Sequence, residues 1–382
     1  MRIFIIHNFY QHAGGEDFVF RKEVAELSKI HDVKTYSAQN KKGVTGLLQY
    51  FSYPFNISES RDIMREIDLF QPDIVHIHNV HYAIGPWIIR RIAQKNIPIV
   101  MTLHNFRLLC PSATLFFNGQ LFTKSLQQQF PWEAIKKRVL DHSLPKTLLT
   151  AFTYWWHRKI GTWNSIDRYI VLSQFAKDLF AHSTFPVSAS KFVIRPNSAD
   201  VQPTNQARTA DFIYIGRLSE EKGILPLLEA MAETNYTIKV YGTGPQQARV
   251  EEMQDRYPNI IYMGFQPQEK LASALSTANA LIVPSVCYEG MPMTIIEAFG
   301  YSTPVLASNI GILREMVLPL YTGLSFDPYN KEDIKDVLNQ WDNLENKTKD
   351  TIGTNCRTVY EKNYTVKSNL SKLLEIYDSI KH

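Results

Sequence analysis

Glu289 and Glu297 form a Glu-x7-Glu spacing within Cys287-Tyr288-Glu289-Gly290-Met291-Pro292-Met293-Thr294-Ile295-Ile296-Glu297-Ala298-Phe299-Gly300. The stretch follows an apolar strand candidate, Ala280-Leu281-Ile282-Val283, and runs from a loop into a helix. A helix start leaves free N–H groups, so Gly290, Met291, Pro292, Met293 and Thr294 bring a site for anions or hydroxyls beside the Glu289 carboxylate. Glu297, one turn inside, can accept hydrogen bonds from sugar hydroxyls or simply favour the helix dipole. Upstream, Gly216-Arg217-Leu218-Ser219-Glu220-Glu221-Lys222-Gly223 follows another short strand, Phe212-Ile213-Tyr214-Ile215. A guanidinium grips phosphate oxygens in pairs and an ammonium adds a point charge. A solvated loop paired with Glu220 and Glu221 is the plainer reading of the same residues. Taken together, the two segments suit a ligand that joins hydroxyls to a diphosphate.

Weaker signals surround them. Gly14-Gly15 lies between the first strand and a helix, where it either lets a ligand approach the backbone or makes an ordinary turn. Tyr241-Gly242-Thr243-Gly244-Pro245 is a Gly-x-Gly turn without the third glycine of a dinucleotide fingerprint. His104 closes the strand candidate Ile99–Leu103, where an imidazole can bond a hydroxyl, serve as an acid or base, or be structural. His76, His78 and His81 lack a carboxylate or cysteine cluster in sequence, so structural use outranks metal binding.

The elements that must position these groups alternate in type. Strand candidates Arg2–His7, Val33–Tyr36, Asp73–His78, Ile97–Leu103 and Ile170–Ser173 alternate with helices such as Asp17–Lys29 and Arg61–Phe70. The pattern restarts with Asp211–Ile215, Thr237–Tyr241, Ile260–Tyr262, Ala280–Val283 and Pro304–Ala307. Such alternation predicts an α/β fold of two doubly wound, Rossmann-like domains facing across a cleft. The Pro-, Asn- and Ser-rich run Arg195–Thr204 marks the linker. The expected domains are 1–196 and 197–364, with a last helix over about 365–382.

The chain has 382 residues, 45% hydrophobic and 20% charged, which fits a globular protein of two domains. Cys110, Cys287 and Cys356 fit no metal spacing or disulfide framework, which suggests a reducing compartment. The apolar start Ile3–Ile6 is too short for a signal peptide, and no run of about 18 apolar residues predicts a membrane span. The net charge of +4 hides an asymmetry: residues 1–195 carry 24 Lys+Arg against 14 Asp+Glu, and the remainder 17 against 23. A basic first half points to an anionic partner; without a nucleic-acid signature, an anionic membrane face is favoured. Residues 130–168 hold Trp132, Trp155, Trp156 and Trp163 among lysines and arginines, a pattern for a membrane interface or for buried tryptophans beneath solvated cations.

On these residues the chain resembles the retaining glycosyltransferases of family 4, which have the GT-B fold. The resemblance runs from Gly14-Gly15 through Thr102-Leu103-His104-Asn105 and Pro196-Asn197 to Gly216-Arg217, Lys222-Gly223 and Glu289…Glu297. It departs from many relatives at Ser198, where they have Gly, and at Thr243, where they carry an acid. The resemblance implies that Arg217 and Lys222 neutralise the donor diphosphate, with Gly216 and Gly242 in the adjoining turns. It implies that Glu289 contacts the donor sugar, that backbone amides of Gly290–Met293 hold its oxygens, and that Glu297 holds the ribose. Gly15 would pack beneath the diphosphate and His104 would touch the sugar. The last helix would cross back onto the first domain. The expected activity is retaining, metal-independent transfer from a UDP- or GDP-sugar to a glycan or polyprenyl-diphosphate-linked acceptor. That activity suits capsule, exopolysaccharide or O-antigen assembly at the inner membrane face, with no cofactor. The alternatives are an epimerase or phosphorylase of the same fold, or a non-catalytic nucleotide-sugar binding protein.

Overall fold

A computed structural model describes residues 1–11, 14–202 and 207–381. Pro203 and Thr204, at the end of the expected linker, lie outside the described residues. The chain divides into two units: Met1–Leu115, Phe122–Pro196 and Asn369–His382 form the first, and Phe116–Leu121 with Asn197–Ser368 the second.

In the first unit, β1 (Arg2–Phe9), β2 (Asp32–Gln39), β3 (Ile74–Ile77) and β4 (Ile99–Leu103) are followed by a hairpin, β5 (Phe116–Phe117) and β6 (Gln120–Leu121). β7 (Arg168–Val171) and β8 (Phe192–Ile194) complete a parallel sheet of order β2-β1-β3-β4-β7-β8. The hairpin lies within residues 1–196 but groups with the second unit, where Phe116 packs on Val286 and Cys287. β3 and β4 are buried along their whole length, because helices cover both faces of a parallel sheet. Edge strand β2 alternates exposed with half-buried positions instead. One core cluster joins Ile3, Ile5, Ile74, Val100 and Ile170 of the sheet to Leu373, Ile376, Tyr377 and Ile380 at the end of the chain. The closing helix Val366–Asp378 thus supplies apolar cover to a sheet built from the opening residues.

The second unit contains β9 (Phe212–Ile215), β10 (Ile238–Tyr241), β11 (Ile260–Gly264), β12 (Ala280–Val283), β13 (Val305–Ser308) and β14 (Gly323–Phe326). Their order is β11-β10-β9-β12-β13-β14, all parallel. Both units are therefore doubly wound α/β sheets.

A buried polar centre underlies the first sheet. Glu23, on the helix Gly15–Leu27, accepts from Arg195 Nη1 at 2.6 Å and lies 3.1 Å from His76 Nδ1 and 3.0 Å from His78 Nε2. Burial pushes its carboxyl up, but Arg195 and the two histidines more than offset this, and its pKa falls well below the usual range. His76 also contacts the Tyr377 hydroxyl at 2.7 Å and the Thr102 hydroxyl at 2.8 Å. The carboxylate that these histidines lack in the local sequence is therefore supplied by the fold. Ligand atoms of Glu23, His76 and His78, one from each, lie within 4.8 Å of one another, a group able to hold a metal ion, although His76 and His78 also have protein partners. Arg195 also donates to Asn369, whose side-chain amide donates to the Pro196 carbonyl. The clasp sits where the chain leaves the first unit and where it returns.

Of the four clustered tryptophans, Trp163 is 1% exposed and donates to the Tyr154 carbonyl, so it belongs to the core. Trp155 and Trp156 are half-buried against Phe130 and Phe152, and Trp132 is exposed. The segment does not present its tryptophans together on one outer surface.

Candidate active site

β9 and β12 are neighbours although far apart in sequence, and the strand order reverses between them. Ligands of open parallel sheets bind beyond the carboxyl ends of the strands at such a reversal. The loop carrying Arg217 and Lys222 leaves β9, and the loop carrying Glu289 leaves β12. Two contacts tie these loops together. Lys222 Nζ donates to both Glu289 oxygens, at 2.7 and 2.9 Å, and the Val286 N–H donates to the Glu221 carbonyl at 3.0 Å. The Ser285 hydroxyl also donates to Glu289, at 2.6 Å. Burial pulls the Lys222 ammonium down in pKa, but the Glu289 carboxylate beside it more than compensates, so its pKa is raised and it stays charged. Arg217 is exposed at the mouth of the same loop.

The glycines here have different causes. A Cβ on Gly242, which sits at φ +136°, would lie 1.9 Å from the Gly216 carbonyl oxygen. A Cβ on Gly216 would meet the Tyr214 hydroxyl at 2.9 Å. The Gly216 N–H donates to Tyr241 O at 3.0 Å and the Leu218 N–H to Thr243 O at 2.9 Å, so the β9 and β10 loops lie backbone against backbone. Packing against backbone therefore gives a reason for glycine at 242, whereas at 216 an added Cβ would meet only the Tyr214 side chain.

The helix Met293–Gly300 begins after Pro292, with no side chain capping its first amides. Proline has no N–H, so the expected run of donors over Gly290–Met293 is interrupted at Pro292. The available amides are those of Gly290, Met291, Met293 and Thr294. The Met291 sulfur accepts from the Asn197 N–H at 3.1 Å, which fixes that side chain within the second unit. Glu297 is half-buried, one turn into the helix, and accepts from Gln268 Nε2 at 3.1 Å.

In the first unit, Gly14-Gly15 opens the helix Gly15–Leu27 beyond β1. Among the described residues, an added Cβ at either glycine would meet nothing within 4 Å. Neither packing against the described residues nor a left-handed backbone demands glycine there. His104 follows β4, with its Nε2 3.0 Å from His78 Nδ1 and the two rings stacked. Burial, then the neighbouring His78, holds His104 well below the ordinary histidine range, so it is neutral at pH 7.

A second polar group, not anticipated from sequence, lies at the same end of the sheet. Glu16 accepts from Asn79 Nδ2 at 2.8 Å and from Asn105 Nδ2 at 3.3 Å. Burial and the adjacent Asp17 push the Glu16 carboxyl up to about 7, against the opposing pull of Arg107. Tyr10, Asn79, His104, Asn105 and Arg107 line one small cavity there. The sequence signals were Glu16 directly after Gly14-Gly15 and Asn105 directly after His104; nothing local pairs them.

Comparison with known proteins bears on this arrangement. Residues 198–358 match the family model described as glycosyl transferases group 1, and residues 31–203 match glycosyltransferase family 4. The lipopolysaccharide 1,6-galactosyltransferase of Salmonella typhimurium is 28% identical over 41% of this chain and 44% of that protein. The chain's matches span less than half the length of the curated relatives. Sucrose-phosphate synthase from Thermosynechococcus elongatus superposes with a TM-score of 0.74 at 17% identity, over 99% of this chain and 98% of that one. Anabaena HepE, solved with UDP-glucose, superposes with a TM-score of 0.69 at 15% identity over the whole of both chains. With two family matches that together run from residue 31 to 358, on two doubly wound sheets, the chain belongs to the family-4-type glycosyltransferases of the GT-B fold.

Proposed function

We propose that the protein transfers a sugar from a UDP- or GDP-sugar to a hydroxyl of a glycan or lipid-linked glycan, with retention at the anomeric carbon and without a metal. The observation that carries this reading is the Lys222–Glu289 pair, which joins two loops at the strand-order reversal beside Arg217 and a helix start without a side-chain cap. As the bond from the anomeric carbon to the diphosphate breaks, its electron pair passes to the leaving oxygen. Arg217, Lys222 and the amides of Met293 and Thr294 stabilise that growing charge more than they stabilise the ground state. When the diphosphate draws on Lys222, Glu289 is freed to accept hydroxyls of the donor sugar, while Glu297 holds the ribose. In the first unit, this reading assigns Gly15 to the donor diphosphate and His104, which is neutral at pH 7, to the donor sugar. The acceptor hydroxyl attacks from the face the diphosphate leaves, and its proton goes to the departing phosphate oxygen. No protein base is then required.

The acceptor belongs to cell-surface glycan synthesis in this reading, as the name of the Salmonella relative suggests. The excess of cations in residues 1–195 supports peripheral attachment to the anionic inner face of a membrane. No helix among the described residues is long and apolar enough to cross one. The test is turnover of a panel of nucleotide sugars, with the anomer of the product read by NMR. Arg217→Ala or Lys222→Ala is expected to lower kcat by about 10²–10³, in line with loss of one preorganised donor to a developing oxyanion. An inverted product would remove retention. Conversion of the nucleotide sugar to an isomer with no acceptor present would replace transfer by epimerisation.

A further inference from the structure

The helix Gly43–Ser52 is turned inside out. It buries no residue, and its four large aliphatic and phenyl side chains are all exposed: Val44 at 77%, Leu47 at 54%, Leu48 at 66% and Phe51 at 66%. They recur at i, i+3, i+4 and i+7, so they form one stripe along one side. The opposite side faces the protein. Gly46 lies against the Lys41 carbonyl so closely that a Cβ would come within 2.2 Å of that oxygen. Gln49 accepts from the Lys41 N–H at 2.8 Å and donates to the Gln39 carbonyl at 3.2 Å. Tyr50 donates to the Pro145 carbonyl and packs on Tyr82. An ordinary surface helix does the reverse, with its apolar stripe in and its polar side out. Here polar and small residues anchor the helix and the apolar stripe is presented to solvent.

The Tyr50 contact places the start of the helix Leu144–Lys159 beside it, and that helix exposes Leu144 and Leu148, again at i and i+4. Contiguous apolar surface of this kind marks a docking face. Charge indicates what docks. The helix Gly43–Ser52 has no acidic residue, and exposed Lys41 and Lys42 stand at its start. Lys146 lies at the neighbouring edge, where Asp141 is its partner. The sequence up to Arg195 carries the surplus of cations noted above.

We infer that Gly43–Ser52 is an interfacial anchor, which lies in the plane of an anionic lipid surface with Val44, Leu47, Leu48 and Phe51 inserted and Lys41 and Lys42 at the headgroups. A stripe of large apolar residues with cations at its border is the composition of an interface-bound helix. This rests on the membrane reading above and moves its site from the tryptophan-rich segment to a different element. It also places the acceptor: an anchor on the first unit brings that unit to the surface where a lipid-linked glycan resides.

Co-sedimentation with vesicles of phosphatidylcholine alone, and of phosphatidylcholine mixed with phosphatidylglycerol, tests the inference. Wild-type protein is expected to sediment with the anionic vesicles only. A triple variant, Leu47→Ser, Leu48→Ser and Phe51→Ser, should lose more than ~10-fold in affinity, because each side chain carries much of its transfer free energy into the interface. Lys41→Gln with Lys42→Gln should weaken binding about five-fold per lysine on anionic vesicles, and the loss should shrink with added salt. All these positions are exposed, and circular dichroism with UDP titration verifies that each variant is folded. Equal binding by the triple variant and wild type would overturn the anchor while leaving the membrane reading intact. No binding of wild type to either vesicle would overturn both. A concentration-dependent dimer that disappears in the triple variant, without vesicle binding, would make a second copy the occupant and overturn the inference.

Discussion

Glu23→Gln removes the charge at the centre of the first unit while keeping the shape of the side chain. Its carboxylate side chain is 4% exposed and its partner Arg195 7%, with 2.6 Å between them. Without the carboxylate, the guanidinium keeps Asn369 as its remaining acceptor and stays buried with an uncompensated charge. Breaking one side of a buried ion pair costs about 3–5 kcal/mol, and the glutamine oxygen, still able to accept one bond, places this variant near ~3 kcal/mol. Five of the six tryptophans (all but Trp341) lie in the first unit, so their fluorescence reports its unfolding. With a urea slope of about 2–3 kcal/mol/M, the midpoint should fall by ~1–1.5 M at pH 7. The sign with pH follows from a carboxyl whose folded pKa lies well below its ordinary value. Its stabilisation is complete above the unfolded pKa, near 4.3, and is lost as pH falls through the folded pKa. The difference between wild type and variant should therefore shrink below pH ~4. Replacing both partners, Glu23→Leu with Arg195→Met, should recover most of the loss, since no buried charge is then left alone. A midpoint shift below ~0.3 M, or a double variant weaker than Glu23→Gln, would refute the reasoning.

Glu16 behaves in the opposite sense. Its carboxyl is raised to about 7, so the folded state disfavours its ionisation, and Glu16→Gln should gain ~1–3 kcal/mol at pH 8 but nothing at pH 4, as measured by urea unfolding at the two pH values. Buried His7 and His78 are each lowered to about 4, chiefly by burial, so the unfolded chain takes up their protons first. First-unit stability should fall from pH 6.5 toward 4 by up to ~1.4 kcal/mol per pH unit per histidine, and a flat profile in the tryptophan unfolding midpoint would contradict this. Gly242→Ala should destabilise the second unit by ~1–3 kcal/mol, because the new Cβ meets the Gly216 carbonyl and φ stays positive; thermal unfolding followed at Trp341 checks it.

Much of the fold was legible because parallel strands bury both faces and so read as short apolar runs. Ala280–Val283 and Phe212–Ile215 are examples, and each is followed at once by the loop that carries the chemistry. The Glu-x7-Glu spacing was equally local, with one acid on the loop and one on the helix it opens. Contacts that join distant segments were not legible. The Lys222–Glu289 pair spans two loops that only the strand order makes neighbours, and Glu23 gathers partners from β3, from Arg195 and, through Arg195, from Asn369. Glu16 reads as a helix-start acid until Asn79 and Asn105 are placed on it. Val44, Leu47, Leu48 and Phe51 have the spacing of a core stripe, and only the direction in which Gly46 and Gln49 face reveals it as outward. For Gly242, a ligand-facing turn and a plain turn are both consistent with the sequence, and the close approach of the Gly216 carbonyl adds a packing reason for glycine that no local pattern shows.

In the proposed function, the loops beyond β9 and β12 hold a nucleoside diphosphate. Calorimetric titration of the wild type and of Arg217→Ala with UDP, GDP and ADP, without added metal, tests it most directly. Saturable binding of UDP or GDP by the wild type is expected, weakened at least ~10-fold in the variant by loss of a charge-assisted phosphate contact. Binding of none of the three by the wild type, or undiminished binding by Arg217→Ala, would contradict it.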